Sequence, residues 1–213
     1  MSNITLYGRR GWGSAIVEAQ LEWLGLDYTY EAVDDLLKSA EARRSLSPVN
    51  PLAQVPTLVL QNGQILTESA AITLYLADMT GSEEFVPPPG SVERPDFLRW
   101  LIFLVANVYP TYTYADETRS LCAGRGGEGR LPRRGRCLCA GALRHPRGDG
   151  ARTLVSRRTL LCPHIYVAVM TRWRPRRQWF AENAPQIHSI ATRADALPQL
   201  QAVWSRNFSE PGS

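Results

Sequence analysis

Lysine is almost missing from this chain: Lys38 is the single lysine among 213 residues, beside 23 arginines. Histidine is scarce as well, and His145, His164 and His188 have no ligand spacing among themselves. Cys137-Leu138-Cys139 lacks the two-residue gap of a zinc or redox pair, so no metal site is expected. Long apolar runs are absent. The longest, Trp100 to Ala106, is far too short to cross a bilayer, and no membrane partner is expected. Gly8 and Gly11 to Gly13 do not make a GxGxxG loop, which argues against a dinucleotide or phosphate cradle of that kind. Met1-Ser2-Asn3 runs straight into the strand-like Ile4-Thr5-Leu6-Tyr7 without a basic, apolar leader, so a cytoplasmic location is expected.

The hydrophobic share of 44% is that of an ordinary globular protein, and the length allows one large core or two smaller ones. Along the first 80 residues the pattern is β-α-β-α-β-β-α. Ile4–Tyr7 reads as a buried strand. Ala15–Leu24 has apolar residues at helical spacing (Ile16, Ala19, Trp23; Val17, Leu21, Leu24), and Tyr28-Thr29-Tyr30 is a second strand. A strand, helix and strand in that order favour a parallel pair with a crossover helix. A short helix-permissive stretch spans Leu36 to Ser45. Thr57–Leu60 and Gln64–Leu66 flank Asn62-Gly63, a strong hairpin signal, and Thr67-Glu68-Ser69 opens a helix. The proline run Val86-Pro87-Pro88-Pro89-Gly90 is a stiff linker. Helical patterns follow at Asp96–Val108, Ile165–Trp173, Gln186–Thr192 and Leu197–Trp204.

The stretch from Asn50-Pro51-Leu52-Ala53-Gln54-Val55-Pro56-Thr57-Leu58 through Thr67-Glu68-Ser69-Ala70-Ala71-Ile72 resembles the glutathione-binding half of bacterial glutathione transferases. The likeness covers residues 4–80 well and weakens beyond them. It implies an α/β thioredoxin-like domain over 1–80, a linker over 81–90 and an all-α helical substrate domain over 91–213. It also implies a homodimer, with glutathione as co-substrate and a small apolar electrophile as the second partner. Pro56 matches the family's cis-proline. A cis bond there turns the chain and leaves the Val55 backbone to pair with the cysteinyl part of glutathione as an added strand. By the same resemblance Ser69 holds the γ-glutamyl carboxylate at a helix start, Glu68 faces the γ-glutamyl amine, and Gln54 reaches the glycine end.

Such chemistry needs a thiolate near neutral pH, whereas a free thiol ionises at about 8.5. A donor at the start of the first helix, aided by its dipole, supplies the stabilisation. Two residues compete for that role. Ser14, just before the helix, resembles the catalytic serine of serine-type classes and is the first choice. Tyr7 stands where tyrosine-type classes keep theirs. The loop Gly8-Arg9-Arg10-Gly11-Trp12-Gly13 departs from the usual serine-type sequence. Tyr109 and Tyr112 are candidates for a wall of the second-substrate pocket, or else for helix-end packing. Conjugation is the leading activity. Glutathione-dependent isomerisation, peroxide reduction or dehalogenation on the same site is the alternative, followed by a non-catalytic binding module.

The basic character is local. Residues 119–164 carry +9 against +4 for the whole chain, with 11 arginines, all four cysteines and eight of the 16 glycines. No apolar period runs from Cys122 to Pro163. Codons compatible with Thr153 to His164, read one base later, encode Pro-Trp-Phe-Leu-Gly-Glu-Arg-Phe-Ser-Ala-Leu, and one base restored in the last codon supplies the Asp of the Ser-x-x-Asp helix cap that the resemblance implies there and returns the frame at Ile165. An out-of-frame segment is therefore expected, and nucleic acid is not expected as a partner. The rival is a basic insert for RNA or an acidic protein.

Overall fold

The computed structural model describes residues 4–113 and 162–208. They fall into two units, one of residues up to Val86 together with those from Arg193 onward, the other from Pro87 to Thr192. Most of the arginine-rich segment, and with it the frame reading, lies outside the described residues.

The first unit follows the order read from the sequence: β1 (Thr5–Gly8), α1 (Ser14–Trp23), β2 (Thr29–Ala32), α2 (Ala40–Leu46), β3 (Thr57–Val59), β4 (Ile65–Leu66) and α3 (Ser69–Thr80). The sheet order is β2-β1-β3-β4. β1 runs parallel to β2 through the α1 crossover, and antiparallel to β3 with Tyr7 opposite Thr57. β3 and β4 form the hairpin that Asn62-Gly63 signals. Alternation along β1 divides its side chains between two faces. Leu6 joins Ile4, Val17, Leu21, Leu58, Leu60, Ile72 and Leu76, so α1 and α3 cover one face. Tyr7 turns to the other and joins Trp12, Val33, Val49 and Val55 around Leu36, Ala42 and Leu46 of the α2 region. Each of the fully buried aliphatic side chains contributes about 1.5–3 kcal/mol through loss of contact with water.

α2 begins at Ala40, later than the helix-permissive stretch from Leu36 suggests. Asp35 Oδ1 accepts from the Leu37 N–H, and Ser39 Oγ accepts from the Ala42 N–H at 3.1 Å. These side chains take the backbone donors for a turn and then for an N-cap, which postpones the helix to Ala40.

The second unit is helical among its described residues: α4 (Arg94–Phe103), a π-helical turn at Leu104–Val108, α5 (Cys162–Met170), α6 (Arg177–Asn183) and α7 (Pro185–Asp195). α5 is buried at every position and packs on α4. α6 has no clear period in the sequence. The chain then makes a 3-10 turn at Pro198–Leu200 and ends its described part in α8 (Gln201–Phe208), which packs on α1 within the first unit. Among the described residues no helix is long and apolar enough to cross a membrane.

Candidate functional site

The Gln54–Thr57 segment is held from beneath by one buried side chain. Asn50 donates from Nδ2 to the Gln54 carbonyl at 3.0 Å and to Thr57 Oγ1 at 3.0 Å, and its Oδ1 accepts from the Leu52 N–H at 3.1 Å. Thr57 Oγ1 donates to the same Gln54 carbonyl at 2.7 Å. The Val55–Pro56 peptide between these anchors is cis. The Val55 N–H and C=O take no backbone partner among the described residues, although its side chain packs beside Tyr7 and Trp12. Two strong hydrogen-bonding groups thus stand open at the head of β3. The Gln54 side chain is exposed.

α3 starts without a side-chain cap, and its N-cap, Glu68, adopts φ 62, ψ 106. A non-glycine residue there is strained, and strain of this sort gathers at binding sites. The Glu68 carboxylate is exposed and makes no ion pair among the described residues. Ser69 follows as the first helical residue, its carbonyl accepting from Thr73 Oγ1 at 2.8 Å. Gln20 Nε2 donates to Thr73 Oγ1 at 2.8 Å in a buried bond that pins α3 to α1. Uncapped N–H groups, the positive end of the helix dipole and a serine hydroxyl suit an anionic group, and a free carboxylate beside them suits a cation.

The loop between β1 and α1 is closed on itself. The Arg9 N–H donates to Ser14 Oγ, and Ser14 Oγ donates back to the Arg9 carbonyl, each at 2.9 Å. Ser14 is fully buried. A Cβ on Gly8 would stand 2.7 Å from Ser14 Cβ and 2.8 Å from the Tyr30 hydroxyl, so only glycine admits this approach. Burial holds the Tyr30 phenol above 10.0, with the neighbouring Ser14 hydroxyl pulling the other way. Arg9 is spent on Asp34 at 3.1 Å, on Asp35 at 3.5 Å and on the face of Trp12. The Asp35 N–H and then Arg9 hold Asp34 below its ordinary value. Arg10 alone of the pair is exposed.

Ser14 and Tyr7, the two candidates for the thiol donor, differ in how their hydroxyls are engaged. Ser14 has one O–H, and it is engaged inside the loop. Tyr7 is half-buried against the same cluster as Val55, and its hydroxyl has no hydrogen-bond partner among the described residues. Tyr109 and Tyr112, in the second unit, both meet the Trp173 ring edge-on at 5.2 and 5.1 Å, and Tyr112 is buried. Sequence reasoning missed the roles of Asn50, Trp12 and Asn207. An asparagine before Pro51 reads as a turn residue, and nothing local marks Asn207 as reaching the loop, where its Oδ1 accepts from the Gly11 N–H at 3.2 Å. Among the described residues no group of three or more His, Cys, Asp or Glu side chains could hold a metal ion.

Residues 14–79 match the family model for the glutathione S-transferase N-terminal domain. Over 212 residues the chain is 35% identical to the uncharacterised glutathione transferase-like protein YncG of Escherichia coli K12, covering 96% of this chain and 98% of that protein. Its fold matches a sphingomonad glutathione S-transferase solved with glutathione (TM-score 0.72, 22% identity, 97% of this chain and 100% of that one). It also matches the transferase URE2P8 of Phanerochaete chrysosporium, solved with oxidised glutathione (TM-score 0.74, 18% identity, 97% and 96%). A thioredoxin-like sheet unit followed by a helical region, with the full-length likeness to YncG, makes this chain a member of the glutathione transferase family.

Proposed function

We propose that the protein binds glutathione on its first unit and transfers the glutathione thiolate to small apolar electrophiles. The observation that carries this reading is the open Val55 backbone next to the cis peptide at Pro56, on the face of the sheet that Tyr7 shares. The peptide's own groups find matching chemistry here. Its cysteinyl amide pairs with the Val55 N–H and C=O. The γ-glutamyl carboxylate takes the Ser69 hydroxyl and the α3 N–H groups, and the γ-glutamyl ammonium takes Glu68. Gln54 meets the glycine carboxylate. The thiol then lies toward Tyr7 and the first turn of α1.

In this reading Tyr7 donates to the sulfur and lowers its pKa, with the α1 dipole adding to the effect. The thiol proton leaves to solvent. The thiolate attacks an electrophilic carbon, a C–S bond forms, and the leaving group departs with its electron pair. Ser14 serves by shaping the loop, and it contacts the sulfur only if its bond to the Arg9 carbonyl opens. Tyr109 remains the candidate to line the second-substrate pocket, with Tyr112 behind it.

Titration calorimetry with glutathione tests the reading. Binding that weakens about tenfold in Ser69→Ala or Glu68→Gln is expected, since each removes a charge-assisted contact. A correctly folded wild-type protein that takes up no glutathione would overturn it.

A further inference from the structure

The chain's last described helix reaches the loop that precedes α1. Asn207 of α8 is 8% exposed, and its amide bridges two elements of the first unit. Oδ1 accepts from the Gly11 N–H at 3.2 Å, while Nδ2 donates to Glu18 Oε2 at 2.7 Å and to the Val203 carbonyl at 3.0 Å. Only a side chain with an acceptor and a donor at this short reach satisfies an N–H and a carboxylate together. Glu18, 3% exposed, is itself fixed: Oε1 accepts from Arg206 Nε at 2.8 Å, while the Tyr28 hydroxyl beside it donates to Glu22 at 3.0 Å. Arg206 also pairs with Glu22 at 2.6 Å and donates to the Tyr28 hydroxyl at 3.1 Å. The Asn207 amide is therefore oriented by a carboxylate that cannot swing away. Gly11 is fitted to the contact, at φ +76 with the Asn207 carbonyl 3.4 Å from where a Cβ would stand.

We propose that Asn207 is a positioning residue for thiol activation, holding the Gly11 amide, and through it the Arg9–Ser14 loop, at the start of α1. The inference rests on the proposed reading that the sulfur lies toward Tyr7 and the first turn of α1, which this loop leads into. It makes the chain's C-terminal helix a working part of the glutathione unit. Within the loop Arg9 and Ser14 clasp each other, the Trp12 N–H donates to the Arg9 carbonyl at 3.1 Å and the Ile16 N–H to the Gly13 carbonyl at 3.1 Å, and α8 adds the Asn207 contact to the Gly11 N–H. Loss of that contact loosens the loop at Gly11 while the sheet and the Val55 and Ser69 contacts stay in place. Binding of the peptide should then survive, and ionisation of its sulfur should suffer.

Four proteins test this: wild type, Asn207→Ala, Arg206→Ala and the double variant E18Q/N207D. Arg206→Ala loosens α8 without touching Gly11. The double variant exchanges donor and acceptor, so the Glu18→Gln amide donates and the Asn207→Asp carboxylate still accepts from Gly11. The readouts are affinity for S-methylglutathione, the ultraviolet thiolate signal of bound glutathione against pH, kcat and KM, and the melting temperature. For Asn207→Ala the expectation is a bound-thiol pKa displaced upward and kcat/KM lowered about three- to tenfold, the worth of one hydrogen bond. S-Methylglutathione affinity should hold to within about twofold. The double variant should recover part of the kcat/KM loss, since the Asn207→Asp carboxylate cannot donate to the Val203 carbonyl, and Arg206→Ala, which frees Glu18, should melt earlier with a smaller thiol shift than Asn207→Ala. An unshifted thiol in Asn207→Ala would overturn the proposal, as would an Arg206→Ala thiol shifted as far. If wild type fails to bind S-methylglutathione at all, the proposed function itself falls, which separates the two failures.

Discussion

The Arg9 main chain and the Ser14 side chain satisfy each other, N–H to Oγ and Oγ to carbonyl, both at 2.9 Å. The one O–H of Ser14 is thereby held inside its own loop. Ser14→Ala should cost about 1–3 kcal/mol, because two buried main-chain groups lose their partner. A urea titration measures this. The variant should still ionise bound glutathione to a larger extent than Tyr7→Phe does.

Asn50 carries the floor under Val55. Asn50→Ala strips donors from the Gln54 carbonyl and from Thr57 Oγ1 at a site 3% exposed. About 1–3 kcal/mol of stability should go with it, and KM for glutathione should rise more than kcat falls, because the loop serves ground-state binding. Asn50→Asp should not rescue either quantity, since a carboxylate cannot donate. Steady-state kinetics at varied glutathione separates the two constants.

Two tyrosines set an alkaline limit. Burial, then the Glu18 charge and the Glu22 contact, hold Tyr28 far above its ordinary 10.0, and burial raises Tyr30 as well. The folded protein keeps these protons where the unfolded chain releases them. Their contribution is complete below pH 10.0, the value in the unfolded chain, and is lost progressively as pH rises above it. Melting temperatures taken from about pH 8 to about pH 11 should fall steeply over the upper part of that range, and Tyr28→Phe should flatten the fall.

The first unit was legible in the sequence because its signals are local. The periodicity of Ala15–Leu24, the Asn62-Gly63 turn and the Val55-Pro56 to Ser69 spacing each follow from contacts a few residues apart, and each appears where it was expected. The thiol-activating group was less legible. Ser14 and Tyr7 both stand at plausible positions in the sequence, and what separates them is where one hydroxyl proton goes. The return of α8 was hidden for a different reason. Asn207 and Gly11 are 196 residues apart, and a single polar contact over that distance leaves no pattern in either neighbourhood. The turn that delays α2 was obscured because Asp35 and Ser39 compete with helix hydrogen bonds through their side chains, within a stretch whose residues otherwise permit a helix.

The charge of residues 119–164 makes its own prediction. An out-of-frame segment means that the natural protein, purified from its source, has an intact mass different from 23.8 kDa. A mass that agrees with the printed sequence would restore the basic insert as part of the protein.

The central claim is that glutathione sits on the first unit with its sulfur toward Tyr7. Ultraviolet difference titration of bound glutathione in wild type, Tyr7→Phe and Ser14→Ala tests it most directly. The account predicts a wild-type thiol pKa well below the free value of about 8.5, returned most of the way in Tyr7→Phe and displaced less in Ser14→Ala. An unshifted wild-type thiol, or a shift abolished by Ser14→Ala and untouched by Tyr7→Phe, would contradict it.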